Sequence, residues 1–196
     1  MKVLKIKGNY SEGKGDGEQG LKMSLVTDSS ILYSNKPFFI PDFAESFVIY
    51  TGLAVRINRL GKNIAARFAA RYYDAVAACV MVEAQNRNSL LTPCDARLTA
   101  FDGAVMLGDF MTLEKKENVK DVHIDTFIND EKIQTFGSPS MRIDIDHLIE
   151  IASRHFTLKM GDVIVSGNFN ASQEITIGER LISTVNGEES LKIRIK

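Results

Sequence analysis

The stretch HFTLKMGDVIVSG, His155–Gly167, organises the chain around itself. Lys159-Met160-Gly161-Asp162 has the composition of a turn, and Val163-Ile164-Val165-Ser166-Gly167 leaves it as a β-strand. Upstream, Ile145, Leu148, Ile149, Ala152 and Phe156 recur at helical spacing, which predicts a helix with one buried stripe. Asp144 suits its N-cap, because a short carboxylate accepts from an otherwise unpaired first-turn amide, and Ile143 with Leu148 has the spacing of a hydrophobic staple. Downstream, Arg180–Val185 and Ser190–Lys196 flank Asn186-Gly187, a pair that tolerates both positive φ values of a type I′ turn, so a hairpin ends the sequence.

Further upstream the pattern is mostly of strands. Val122, Ile124, Thr126 and Ile128 alternate with outward His123 and Asp125, and the pattern restarts at Lys132 after Asn129-Asp130-Glu131, a second hairpin. In VIYTGLAVRI, Val48–Ile57, the side chains of Ile49, Thr51, Leu53, Val55 and Ile57 share one face, and those of Tyr50, Gly52 and Arg56 the other. Gly52 in mid-strand marks a bulge or a close approach by another group. Ile64 to Asp74 reads as a helix capped by Asn63, Val76 to Glu83 as a buried strand, and Phe101 to Leu113 as one more strand. Met1 to Lys7, with lysines between its apolar residues, reads as an edge strand. Residues 8–20 hold five glycines and few apolar side chains, so a mobile loop is expected there. Its GDGEQG matches GxGxxG in letters, but Asp16 and Glu18 would face a pyrophosphate and the segment that follows reads as strand, so the loop reading is preferred. About ten short strands and two helices make a β-rich α+β fold, expected as one domain over 1–196.

Composition narrows the function. Twenty-four basic and 25 acidic residues leave a formal charge of −1, which argues against nucleic acid as a partner. No run approaches the roughly 18 to 20 apolar residues of a membrane helix, and MKVLKIKGNY lacks the continuous apolar core of a signal peptide, so no membrane partner and a cytoplasmic location are expected. Cys79 and Cys94 have no CxxC spacing or neighbouring His, which leaves them as free thiols.

The order of segments carries more. FINDEKIQ, then a helix, then KMGDVIVSG, then STVNGEESL resembles the fumarylacetoacetate hydrolase family. Lys36-Pro37-Phe38-Phe39, Gly8-Asn9-Tyr10 and AFDGAVMLGDF (Ala100 to Phe110) are similar to further segments of that family, in the same order. The resemblance implies a mixed β-roll with a few peripheral helices and a homodimer. It also implies an Mg²⁺ or Mn²⁺ held by three carboxylates, two of them from a Glu-x-Glu pair standing before Leu-Ala-Val, which suits hard cations because alternate strand residues point the same way. Here Leu53-Ala54-Val55 is preceded by Tyr50 and Gly52 at the two ligand positions. The third ligand falls at Ala84, with Glu83 one place off; the family's water-activating His falls at Gly13, and its two lysines at Thr99 and near Pro41.

No metal, no cofactor and no catalytic residue are therefore expected, and the implied function is that of a non-catalytic member that keeps the fold and a small carboxylate or oxo-acid pocket, or a partner-binding role. The alternative is a divergent hydrolase, isomerase or decarboxylase acting on a C–C bond of an oxo-acid, with acids such as Asp42, Glu45, Glu83, Asp102 or Asp109 rebuilding the site. Tyr50, Gly52, Arg56, Ala84, Thr99 and Asp102 are the candidate pocket residues. Tyr50 is the expected filler of the vacated metal position. Arg56, on the strand face of Tyr50, would repel a cation and suit a carboxylate, or else sit in a salt bridge at the rim.

Overall fold

A computed structural model describes residues 1–10, 18, 20–85, 95–113, 116–168 and 171–196. Gly13, most of the glycine-rich loop and Cys94 lie outside the described residues. The elements in chain order begin with β1 (Val3–Lys7), β2 (Lys22–Val26), β3 (Ile31–Tyr33), β4 (Pro37–Phe38) and β5 (Ser46–Ile57). Next come α1 (Ala66–Ala69), β6 (Tyr73–Gln85), α2 (Ala96–Thr99), β7 (Val105–Leu107), β8 (Met111–Thr112), β9 (His123–Ile128) and β10 (Glu131–Gly137). The chain then runs through α3 (Ile145–His155), β11 (Val163–Gly167), β12 (Gln173–Glu174), β13 (Arg180–Val185) and β14 (Glu188–Ile195).

Two sheets result. The larger has the order β2-β1-β11-β5-β6-β7-β3, with β12 continuing beside β5 and β8 beside β6; the smaller is β10-β9-β13-β14-β4. One core lies between them. Ile49, Leu53 and Val55 of β5 meet Ile124 of β9 and Leu181 of β13 there, with Leu148 and Ile149 of α3. A chain of hydroxyls crosses the same space: Thr51 Oγ1 donates to Thr126 Oγ1 at 2.9 Å, and Thr126 lies 3.0 Å from Ser183 Oγ. The other face of the large sheet carries a second core of Val3, Ala54, Ala77, Cys79, Met81 and Val165. Both sides of β5 and β6 are thus apolar for most of their length, which is why their sequences lack a clean alternation.

The β-rich reading and both hairpins hold. Asn186 and Gly187 have φ of 51° and 86°, and Asn129 and Asp130 of 49° and 71°, the left-handed pairs that two-residue hairpins need. Asp144 caps α3 by accepting from the His147 amide at 2.9 Å. Four expectations change. The helix over Ile64 to Asp74 shrinks to the single turn of α1, because Tyr73 already belongs to the long ladder of β6; Asn63 does not cap it. Phe101 to Leu113 divides into β7 and β8. β1 is interior, parallel to β11 on one side and antiparallel to β2 on the other, so its lysines are not edge residues. In the expected mobile loop, Asn9 and Tyr10 are buried: Asn9 Nδ2 donates to Ile143 O at 2.9 Å and Ser166 Oγ at 3.0 Å, and Tyr10 packs edge-on to Phe136. Among the described residues no helix is long and apolar enough to cross a membrane.

Asp162 aligns the start of β1 with that of β11. Its carboxylate accepts from the Lys2 amide at 3.0 Å, from the Lys159 amide at 2.7 Å and from the Lys2 ammonium. Burial alone would raise this carboxyl, but those donors outweigh it and hold it below the usual carboxylate range. A depressed folded value means the stabilisation is complete above the unfolded value of about 3.9 and is lost as pH falls through the folded one. Asp162→Asn is expected to cost about 2 to 3 kcal/mol near neutral pH. In urea unfolding its deficit against the parent should shrink as the pH is lowered below about 4.

Candidate functional site

The ladder between β5 and β6 pairs Gly52 with Cys79, Tyr50 with Met81 and Val48 with Glu83. Directly paired residues point to the same side of a sheet, so Tyr50, Gly52, Cys79, Met81 and Glu83 share the face of the second core. β1 brings Val3, Lys5 and Lys7 to that face, with Val3 and Lys5 opposite Val163 and Val165 of β11. Glu83 Oε1 accepts from Lys5 Nζ at 3.1 Å and also from Lys7 Nζ. Lys5 is 1% exposed, while the Lys7 side chain keeps a quarter of its surface in solvent and places its ammonium 5.8 Å from the centre of the Tyr50 ring. Tyr50, half-buried, sits where β11 has ended and β12 has not yet begun, so it marks the outer lip of this cluster.

The electrostatics follow from burial. Desolvation pushes the Lys5 amine below its ordinary value; Glu83 opposes this and the neighbouring Lys7 adds to it. Burial and then the Glu83 carboxylate push the Tyr50 phenol up. Burial pushes the Cys79 thiol up to about 12, with Lys5 acting the other way, so this thiol is inert at neutral pH.

The other anticipated positions lie elsewhere. Ala84 pairs with Phe47 and is buried in the core between the sheets; the residue that faces Tyr50 and Gly52 is Glu83. Arg56 shares the strand face but is bound to Asp74 by two hydrogen bonds of 2.9 and 3.0 Å and lies over Phe110, which is the rim salt bridge of the two readings. Thr99 donates to Asp95 O at 3.1 Å at the end of α2, and Asp102 is exposed in the turn before Gly103. Tyr50 is not the filler either. Met81 Cε lies 3.0 Å from where a Cβ on Gly52 would stand and 2.6 Å from one on Gly167, so the flexible thioether occupies the hollow left by two glycines.

The described residues do not fit a divalent cation. Tyr50 and Gly52 offer no carboxylate, and Glu83 already accepts from two ammonium groups that would repel a dication a few ångströms away. Among the described residues no three His, Cys, Asp or Glu side chains converge.

The sequence profile of the fumarylacetoacetate (FAA) hydrolase C-terminal domain matches residues 14–191. The chain belongs to this family. It is 24% identical over 158 residues, 79% of this chain and 74% of the relative, to oxaloacetate tautomerase fahd-1, mitochondrial, of Caenorhabditis elegans. Among solved structures it resembles 5-carboxymethyl-2-hydroxymuconate delta-isomerase of Mycobacterium smegmatis, with a TM-score of 0.86 and 24% identity over 99% of this chain and 78% of that one. It also resembles the fumarylpyruvate hydrolase of Pseudomonas aeruginosa in complex with Mn²⁺ and pyruvate, with a TM-score of 0.84 and 15% identity over 100% of this chain and 89% of that one. At these identities the solved structures speak to the fold alone.

Two sets of variants test this geometry. Gly52→Glu drives a side chain into Met81 Cε and Ser166 O, the latter 2.9 Å from the added Cβ, and should cost about 1 to 3 kcal/mol. Adding Met81→Ala should recover part of that loss, so a double-mutant cycle is expected to show coupling. Glu83→Ala leaves two lysines without this carboxylate and should cost about 3 to 5 kcal/mol, whereas Lys5→Met, of similar shape, leaves Glu83 still paired with Lys7 and should cost less in denaturant unfolding.

Proposed function

We propose that this member of the family holds a small oxo-acid without a divalent metal and does not carry out metal-assisted C–C chemistry. The observation that carries the reading is Glu83 bridged to Lys5 and Lys7 beside Tyr50, near one end of the face where Tyr50 and Gly52 stand. A carboxylate ligand is attracted to ammonium donors for the same electrostatic reason that a dication is repelled by them. The names of the tautomerase relative and of the pyruvate-bound hydrolase support an oxo-acid as the ligand class. The single domain, the homodimer and the cytoplasmic setting belong to the same proposal.

A second reading is favoured by the tautomerase relative. Interconversion of the keto and enol forms of an oxo-acid requires one group that takes a proton and one that returns it, and Lys5 with Glu83 at 3.1 Å is such a pair.

Thermal unfolding in excess EDTA separates these readings from a metal enzyme. Oxaloacetate or pyruvate should raise the melting temperature without metal, by the equivalent of about 2.7 kcal/mol at a hundredfold excess over Kd. Mg²⁺ or Mn²⁺ alone should leave it unchanged; a rise with either metal, and ligand binding only in its presence, would overturn the proposal. Decay of enol absorbance faster than in buffer, still in EDTA, would select the second reading.

A further inference from the structure

We propose that Lys5 captures the keto carbon of an oxo-acid as an imine. This rests on the reading that the face of Glu83 takes an oxo-acid, and it goes beyond it by assigning a covalent step to one amine.

The placement of Lys5 is that of a nucleophile rather than of a surface cation. β2 and β11 fix its backbone from both sides, and the side chain is 1% exposed. A lysine is weakly nucleophilic because it is protonated at neutral pH; burial and a second cation beside it are the two means by which proteins expose its lone pair. Both are present, with Lys7 donating to the same carboxylate oxygen. The Lys5 amine is accordingly lowered from its ordinary value.

The neighbours complete the proton balance. The Lys5 ammonium first gives its excess proton to solvent; the resulting amine attacks the keto carbon, and the carbonyl electron pair moves to its oxygen, which takes a proton from the Lys7 ammonium. Glu83 takes a proton from the nitrogen, giving a neutral carbinolamine. Glu83 then returns that proton to the hydroxyl, which leaves as water while the nitrogen lone pair closes the C=N bond. Lys7 regains its proton from the iminium or from solvent, so amine and ketone have become imine and water with no oxidant or reductant. The carboxylate of the oxo-acid meets solvent-facing Lys7 and the half-buried Tyr50 at the outer side. Inside, the hollow over Gly52 and Gly167 is occupied by the Met81 thioether, an unbranched and flexible group that a small acyl chain would have to displace.

The test is borohydride trapping of the full chain with pyruvate in EDTA at neutral pH, followed by intact mass measurement and peptide mapping. The expected result is a single gain equal to the mass of pyruvate less one oxygen atom, located on Lys5, absent without pyruvate and lost in Lys5→Met. Mapping on the parent protein keeps the test decisive if that variant unfolds. A pyruvate-dependent rise in melting temperature with no mass gain would overturn the imine and leave the oxo-acid reading standing. Neither a rise nor a gain would remove both, and a gain that maps to Lys7 or persists in Lys5→Met would overturn the assignment to Lys5.

Discussion

The ladder between β5 and β6 is the constraint on which the molecule leans. It pairs Ser46 with Gln85 at one end and Ile57 with Tyr73 at the other, with an irregularity near Arg56. Because side chains alternate across a strand, this one register decides which residues share a face. It sends Ile49, Leu53 and Val55 toward the small sheet, and Tyr50, Gly52 and Glu83 to the other side. β11 and β12 add along β5 in succession, leaving Tyr50 at the break between them. The location of the site is therefore a product of strand pairing.

This explains what could be read in the sequence and what could not. The hairpins at Asn129-Asp130 and Asn186-Gly187 and the cap at Asp144 are local: a few residues carry the whole physical reason, and the structure repeats the reading. That Tyr50 and Gly52 share one strand face was legible from two-residue alternation alone, and the ladder repeats it. The face of Ala84 was not, since a displacement of one residue moves a side chain to the opposite face and only the ladder fixes parity. Lys5 and Lys7 were hidden for a different reason. Alternating lysines near a terminus have the pattern of an edge strand, and nothing within β1 reports that β11, some 160 residues later, pairs with it and buries Lys5. Met81 was hidden likewise, as one apolar residue in an apolar run whose value lies in two glycines on other strands.

The helix expected over Ile64 to Asp74 shows the same competition between local preference and distant contacts. Its residues have good helix propensity, worth a few tenths of a kcal/mol each. Against that stands the burial of Tyr73 and of the β6 residues that follow it, each worth about 1.5 to 3 kcal/mol for a large apolar side chain. Burial outweighs propensity, and helix survives only across the single turn of α1 before the strand begins.

The charges around Glu83 have a chemical logic of their own. A dication among three carboxylates draws electrons from a bound carbonyl as a Lewis acid, and the carboxylates keep it in place. Two ammoniums around one carboxylate invert the charges of that arrangement, and a dication beside them would be repelled. An oxo-acid is nonetheless suited to both. Its carboxylate is drawn to positive charge of either kind, and its keto carbon is activated either by a metal on the oxygen or by conversion to an iminium, whose positive nitrogen withdraws electrons through the bond. The second route needs an amine whose protonated form burial disfavours, next to a carboxylate that can accept a proton, and the proposal places Lys5, 1% exposed and 3.1 Å from Glu83, in that role on a strand that neighbouring strands hold in place. A site without carboxylate ligands for a metal and the proposed binding of an oxo-acid are thus compatible, since both follow from one arrangement of charge.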